Sequence, residues 1–182
     1  MSFDMSTLFA IVVFTSATGG FLLLVSWLQH RDTTALAYWG ASFLLSALSA
    51  ALIAARGEIA NTWSIVVANA ILVLGHGVLW SGTRNFEGRP ISVLGTLAGP
   101  VIWLGACTLS FIYDSPAARA TVITPILGVY LLLAAFELWR GRGDALTSRW
   151  PFWPYWGSPV PQRQEIRCHS KAAWMELLPS LR

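Results

Sequence analysis

Charge is what this chain has least of. Only 12% of its residues are Asp, Glu, Lys or Arg, where a soluble domain carries about 25%. Too few ionic groups remain to solvate a globular surface, so lipid must cover much of the chain. Cysteine is scarce as well. Cys107 and Cys168 have no CxxC and no Cys/His spacing around them, which argues against a disulfide framework or a zinc site. The chain contains no Walker loop, GxSxG, HExxH or nucleotide-binding glycine fingerprint. No ladder of carboxylates runs through the apolar segments to mark an ion pathway. The opening MSFDMSTLF has no Lys or Arg ahead of the first apolar run. A secretory signal needs a basic n-region, so the first segment is expected to be a retained span.

What is present is hydrocarbon in long runs. The chain is 55% hydrophobic, with a mean hydropathy of +0.58. Its runs approach the roughly 20 residues that an apolar helix needs to cross a bilayer. The expected fold is an all-α integral membrane bundle of about five transmembrane helices with short loops. The first runs from Ser6 to Leu28, with Gly19-Gly20 loosening its middle and Trp27 at its exit. The second covers Ala35 to Ala55 and opens with the interfacial aromatics Tyr38 and Trp39. Ser42, Ser46, Ala50 and Ala54 recur every fourth residue and give one face that another helix can approach closely. The third covers Trp63 to Ser81, with 82–90 as a loop. The fourth, Ile91 to Ile112, carries Gly95 and Gly99 in GxxxG spacing, and Pro100 predicts a kink. After a turn at Tyr113-Asp114-Ser115-Pro116, the fifth runs from Thr121 to Leu138 and exits through Trp139.

Short connections make successive helices antiparallel. Arg31, Arg84, Arg89, Arg140, Arg142 and Arg149 then fall on one side, with Arg56 and Arg119 on the other. The positive-inside rule puts the N-terminus outside and the C-terminus in the cytoplasm. The net charge of +3 follows from that topology. The lipid bilayer is the expected partner, and nucleic acid is not.

Few polar groups lie inside the spans. Asn69, His76 and Trp80 share roughly one face of the third helix. A polar group in hydrocarbon usually faces the bundle or a cavity, so these three are the candidate ligand-binding residues. His76 is open to two readings: a ligand, haem or proton site, or a histidine hydrogen-bonded inside the bundle. A haem held by two histidines needs a second one, and only His30 is a near candidate; no cofactor and no metal are expected. Glu137 stands three residues before Arg140, a spacing that predicts an ion pair on the helix surface.

Composition shifts after Arg149, so the chain divides into a multi-span membrane domain, 1–149, and a tail, 150–182. PFWPYWGSPVP is too rich in proline to be a helix interior. Three readings of this cytoplasmic, Pro/Trp-rich tail stay open. It is disordered, or it forms a short interfacial helix through Ile166, Ala173, Trp174, Leu177 and Leu178, or it is the product of a frameshifted or truncated reading frame.

The stretch from Asn69 to Arg89 resembles the N-terminal membrane regions of bacterial diguanylate cyclases, the GGDEF-domain signalling proteins. The residues that carry the resemblance are Asn69, Leu79-Trp80, Gly82, Arg84, Phe86, Gly88, Arg89 and Pro90. Tyr38-Trp39-Gly40 and Glu137-Leu138-Trp139-Arg140 also look like that family. The likeness covers roughly residues 1 to 150. It implies a sensory or anchoring module that passes helix packing changes to a cytoplasmic partner, as a homodimer or through a signalling protein. The family's GG[DE]EF loop is not in this sequence, so no catalysis and no synthesis of cyclic di-GMP are expected. The alternative is a small transporter or channel subunit, on the strength of Pro100, Pro125, Asn69 and His76. A haem- or quinone-binding membrane subunit is the third reading.

Overall fold

A computed structural model describes residues 5–141, and the tail expectations for 150–182 lie outside them. The described residues are helical throughout, apart from turns and one isolated bridge between Arg56 and Ile59. Helix α1 covers Met5–Gln29 and α2 covers Ala35–Ala54. A π-helical turn, Thr62–Val67, leads into α3, Ala68–Phe86. Then come α4 (Val93–Ala106), the short α5 (Ser110–Asp114) and α6 (Pro116–Arg140).

Among the described residues, four helical stretches are long and apolar enough to cross a membrane: Thr7–Gln29, Ala35–Ala54, Thr62–Phe86 and Pro116–Arg140. The expected fourth span is different. It breaks into the 14-residue α4 and the 5-residue α5. Thr108 accounts for the break: its hydroxyl donates to the Gly105 carbonyl at 2.7 Å, and its backbone N–H turns to the same oxygen. A side chain that bonds the backbone locally competes with the helix ladder. The expectation of about five spans therefore becomes four membrane-length helices and one shorter apolar helix.

The ends follow local chemistry. Ser92 caps α4 by accepting from the Gly95 N–H at 3.2 Å. Ser115 caps α6 by accepting from the Ala118 N–H, and Pro116 fills the first helical position, where no N–H is needed.

Helix α3 is the hub. It packs against α2, α4 and α6, whereas α1 packs on α2. Half of the apolar window of α3 is buried, against 6% for α1. Large side chains such as Phe14, Leu94 and Leu132 face outward, a surface compatible with lipid contact.

Small residues set the helix spacing. A Cβ on Gly20 would lie 2.9 Å from the Gly40 carbonyl oxygen, so α1 and α2 touch backbone to backbone there. Gly20 thus serves close approach, and the helix runs unbroken through Gly19-Gly20 instead of loosening. Ser42 and Ser46 of α2 meet Gly75 of α3. That small-residue face ends early, because Ala54 is exposed. On the other side of α3, Gly77 sits against the Thr96 backbone and Gly99 against Tyr130 and Val73. Trp103 is wholly buried and its indole N–H donates to the Val66 carbonyl at 3.0 Å, tying α4 to the π-helical turn.

Candidate functional site

The side chains with the most specific chemistry gather at one end of the bundle, where α3 and α6 finish and α2 and α4 begin. Local sequence builds this end. Helix α3 does not stop at Ser81, as the glycine at 82 suggests, but continues through Phe86. Gly82 is a packing residue: a Cβ there would lie 2.8 Å from Tyr38 Cβ and from the Trp39 ring. The helix ends at Gly88, whose φ of +68° is left-handed. The Gly88 N–H donates to the Asn85 carbonyl at 3.0 Å and the Arg89 N–H to the Arg84 carbonyl at 2.9 Å. These two bonds make a Schellman motif. Pro90 follows, where no further helix is possible.

That turn brings Arg89 back beside Arg84, and Glu137 of α6 receives both. Arg84 Nη1 donates to Glu137 Oε1 at 3.0 Å, and Arg89 Nη1 donates to Glu137 Oε2. The carboxylate side chain is 7% exposed, whereas the arginines are 22% and 27% exposed. Buried charge demands pairing, and here one carboxylate faces two guanidiniums. Arg84 is held further. Its Nε donates to the Pro90 carbonyl at 3.0 Å, and its guanidinium lies 5.2 Å from the Trp80 ring centre. The partners of Glu137 are therefore Arg84 and Arg89 rather than the expected Arg140. Helix geometry explains the difference: the side chain at 137 turns into the bundle, toward α3, and Arg140 is exposed.

The neighbouring contacts lock the same end. Trp39 and Phe86 pack in a tilted arrangement with ring centres 5.6 Å apart. Thr34 donates to the side-chain oxygen of Asn85. Arg31 lies 4.6 Å over the Trp27 ring.

The three expected ligand-binding residues lie on α3 but make separate contacts. Asn69 is buried and its amide donates to the Ile65 carbonyl at 2.6 Å. His76 is half-buried, and its Nδ1 lies 2.9 Å from the Leu72 carbonyl. A carbonyl only accepts, so Nδ1 carries the proton. Trp80 is buried, packs against Tyr130 at 6.3 Å between ring centres and carries Arg84 on its face. Among the described residues no group of three or more His, Cys, Asp or Glu side chains is placed to hold a metal ion.

Sequence reasoning passed over Tyr130. It is buried at the centre of an apolar cluster with Val73, Trp80 and Ala134. Its hydroxyl accepts from the Gly99 N–H at 2.9 Å and lies 2.8 Å from the Gly95 carbonyl and 3.1 Å from that of Thr96. The available signal was a tyrosine inside a span, facing a helix that Pro100 robs of a backbone donor.

No known protein family, curated protein or solved structure matches the chain.

Proposed function

We propose that the chain is a membrane-embedded sensory or anchoring module of cyclic-dinucleotide signalling, the input part of a diguanylate-cyclase-type system, without catalysis of its own. One observation carries the reading. Most of the residues behind the resemblance to cyclase membrane regions, Asn69 and Gly40 apart, converge in space. Tyr38 and Trp39 seat Gly82, Trp39 packs on Phe86, Trp80 carries Arg84, and Glu137 joins Arg84 to Arg89. A motif scattered over about a hundred residues is thus one physical joint at the exit of α6. A signal module needs such a joint, because the last helix must be coupled to the bundle to report its state.

In this reading the joint lies at the cytoplasmic face of a bacterial inner membrane. Arg31, Arg84, Arg89 and Arg140 all sit at that end, while Arg56 and Arg119 lie at the other. The sensory partner is a second copy or a cytoplasmic signalling protein. The transporter reading draws less support, since Asn69 and His76 direct polar atoms back onto their own helix.

Two measurements test this. Single cysteines replacing Asp32 and Glu58 report sidedness: an impermeant thiol reagent added to intact cells labels Glu58→Cys and spares Asp32→Cys, and the opposite pattern overturns the orientation. Purified protein incubated with GTP yields no cyclic dinucleotide, and product at a rate above that of a mock preparation overturns the non-catalytic reading.

A further inference from the structure

Tyr130 does something unusual to α4. In an uninterrupted α-helix the Gly99 N–H donates straight to the Gly95 carbonyl. Here the Tyr130 hydroxyl engages both ends of that rung, accepting from Gly99 at 2.9 Å and reaching Gly95 O at 2.8 Å. One residue further, Pro100 has no N–H, so the Thr96 carbonyl lacks its ladder donor. The same hydroxyl lies 3.1 Å from that oxygen. It has one proton, which the Gly95 and Thr96 carbonyls must share. Room for the ring exists only because position 99 is glycine: a Cβ there would sit 2.5 Å from Tyr130 Cε2.

The two arrangements available to this site are both chemically complete in part. With the hydroxyl inserted, Gly99 is satisfied and the two carbonyls share one proton. With it withdrawn, Gly99 closes directly on Gly95, and the hydroxyl needs another partner. A donor stands in the same cluster: the indole N–H of Trp80, buried and without an acceptor, belongs to the ring packed on Tyr130. Glycine at 95 and 99 gives the ring and the α4 backbone room for either arrangement, but withdrawal leaves the Thr96 carbonyl without a donor, a cost that weights the site toward the inserted one.

We infer that Tyr130 is a latch between α4 and α6, inserted into the α4 ladder in one state and withdrawn from it in the other. The latch sits seven residues before Glu137 on α6, two turns from the joint with Arg84 and Arg89. Withdrawal moves α6 relative to α4, and α6 carries that movement toward its exit. The existence of the latch does not depend on what α6 signals to. Its use as the switch of a signalling module rests on the function proposed above.

The test uses the full chain in lipid nanodiscs, with Cys107→Ser and Cys168→Ser to remove native thiols. Spin labels go on Leu94→Cys of α4 and Leu132→Cys of α6, both exposed. Distance distributions are then compared for the parent, Tyr130→Phe and Gly99→Ala. Tyr130→Phe keeps the ring and removes the hydroxyl; Gly99→Ala keeps the hydroxyl and denies the ring its place. A latch predicts that both variants gain the same second distance population, displaced by about 1–2 Å or more, the scale of helix shifts. A parent-like distribution in Tyr130→Phe overturns it, whether or not Gly99→Ala folds. So does a change in Gly99→Ala that Tyr130→Phe does not share. Neither result touches sidedness or catalysis, which are measured separately.

Discussion

Glu137 and Arg84 meet at 3.0 Å across a sequence separation of 53 residues, and their contact binds the end of α6 to the end of α3. The turn at Gly88 folds Arg89 onto the other carboxylate oxygen. A single acidic side chain therefore fixes one loop and two helix ends.

Replacing Glu137 by Gln leaves two guanidiniums facing each other with their anion gone. Removing one member of a fully buried pair costs about 3–5 kcal/mol. The arginines here are partly exposed, and solvent screening reduces this to about 2 kcal/mol. Thermal unfolding in one detergent is expected to show a lowered midpoint. Arg84→Ala is expected to lower it more than Arg89→Ala, because Arg84 also holds the Pro90 carbonyl and packs on Trp80. The reverse order would place the main energy of the cluster on the loop rather than on α3.

Gly82 and Gly88 are required for different reasons. Gly82→Ala drives a methyl group into Tyr38 and Trp39, an overpacking cost of about 1–3 kcal/mol. Gly88→Ala meets nothing in space and fails on backbone conformation, at about 1–2 kcal/mol. Asn tolerates the left-handed region, so Gly88→Asn is expected to recover part of the loss, whereas Gly82→Asn recovers none. Unfolding midpoints of the four variants check this.

Trp103 offers a separate probe of the far half of the bundle. Trp103→Phe removes the bond to the Val66 carbonyl, a loss of about 0.5–1.5 kcal/mol. Trp103→Ala also opens a cavity in a site with no solvent exposure, raising the loss to about 3–5 kcal/mol. Equal midpoints for the two variants would mean that the hydrogen bond, not the packing, holds α4 on the π-helical turn.

Much of the helical layout could be read from sequence, because hydropathy and interfacial aromatics depend only on composition along the chain. The membrane-length helices begin and end near Trp27, Tyr38 and Trp139, where aromatics mark the interface. Glycine misled in both directions. Gly82 looks like a breaker and is a contact, while Gly19-Gly20 looks like a flexible point and is partly a seat for Gly40. Thr108 gave no warning of the break after α4, since a hydroxyl inside an apolar run is ordinary. The joint was hidden for a plainer reason. Spacing arguments reach three or four residues along one helix, which suggested Arg140 for Glu137, but the true partners lie 53 and 48 residues away. Tyr130 was hidden likewise, as its bonds cross to α4.

The most direct test of the central claim joins a diguanylate cyclase catalytic domain to the C-terminus of the full chain. Cyclic di-GMP produced by membranes is then compared for the parent and Glu137→Gln at equal membrane abundance. A second fusion, with an unrelated membrane anchor in place of the chain, sets the uncoupled level. If the Arg84–Glu137–Arg89 joint couples the bundle to a cytoplasmic output, the parent fusion departs from that level and Glu137→Gln returns toward it. Equal output from all three fusions would contradict the account.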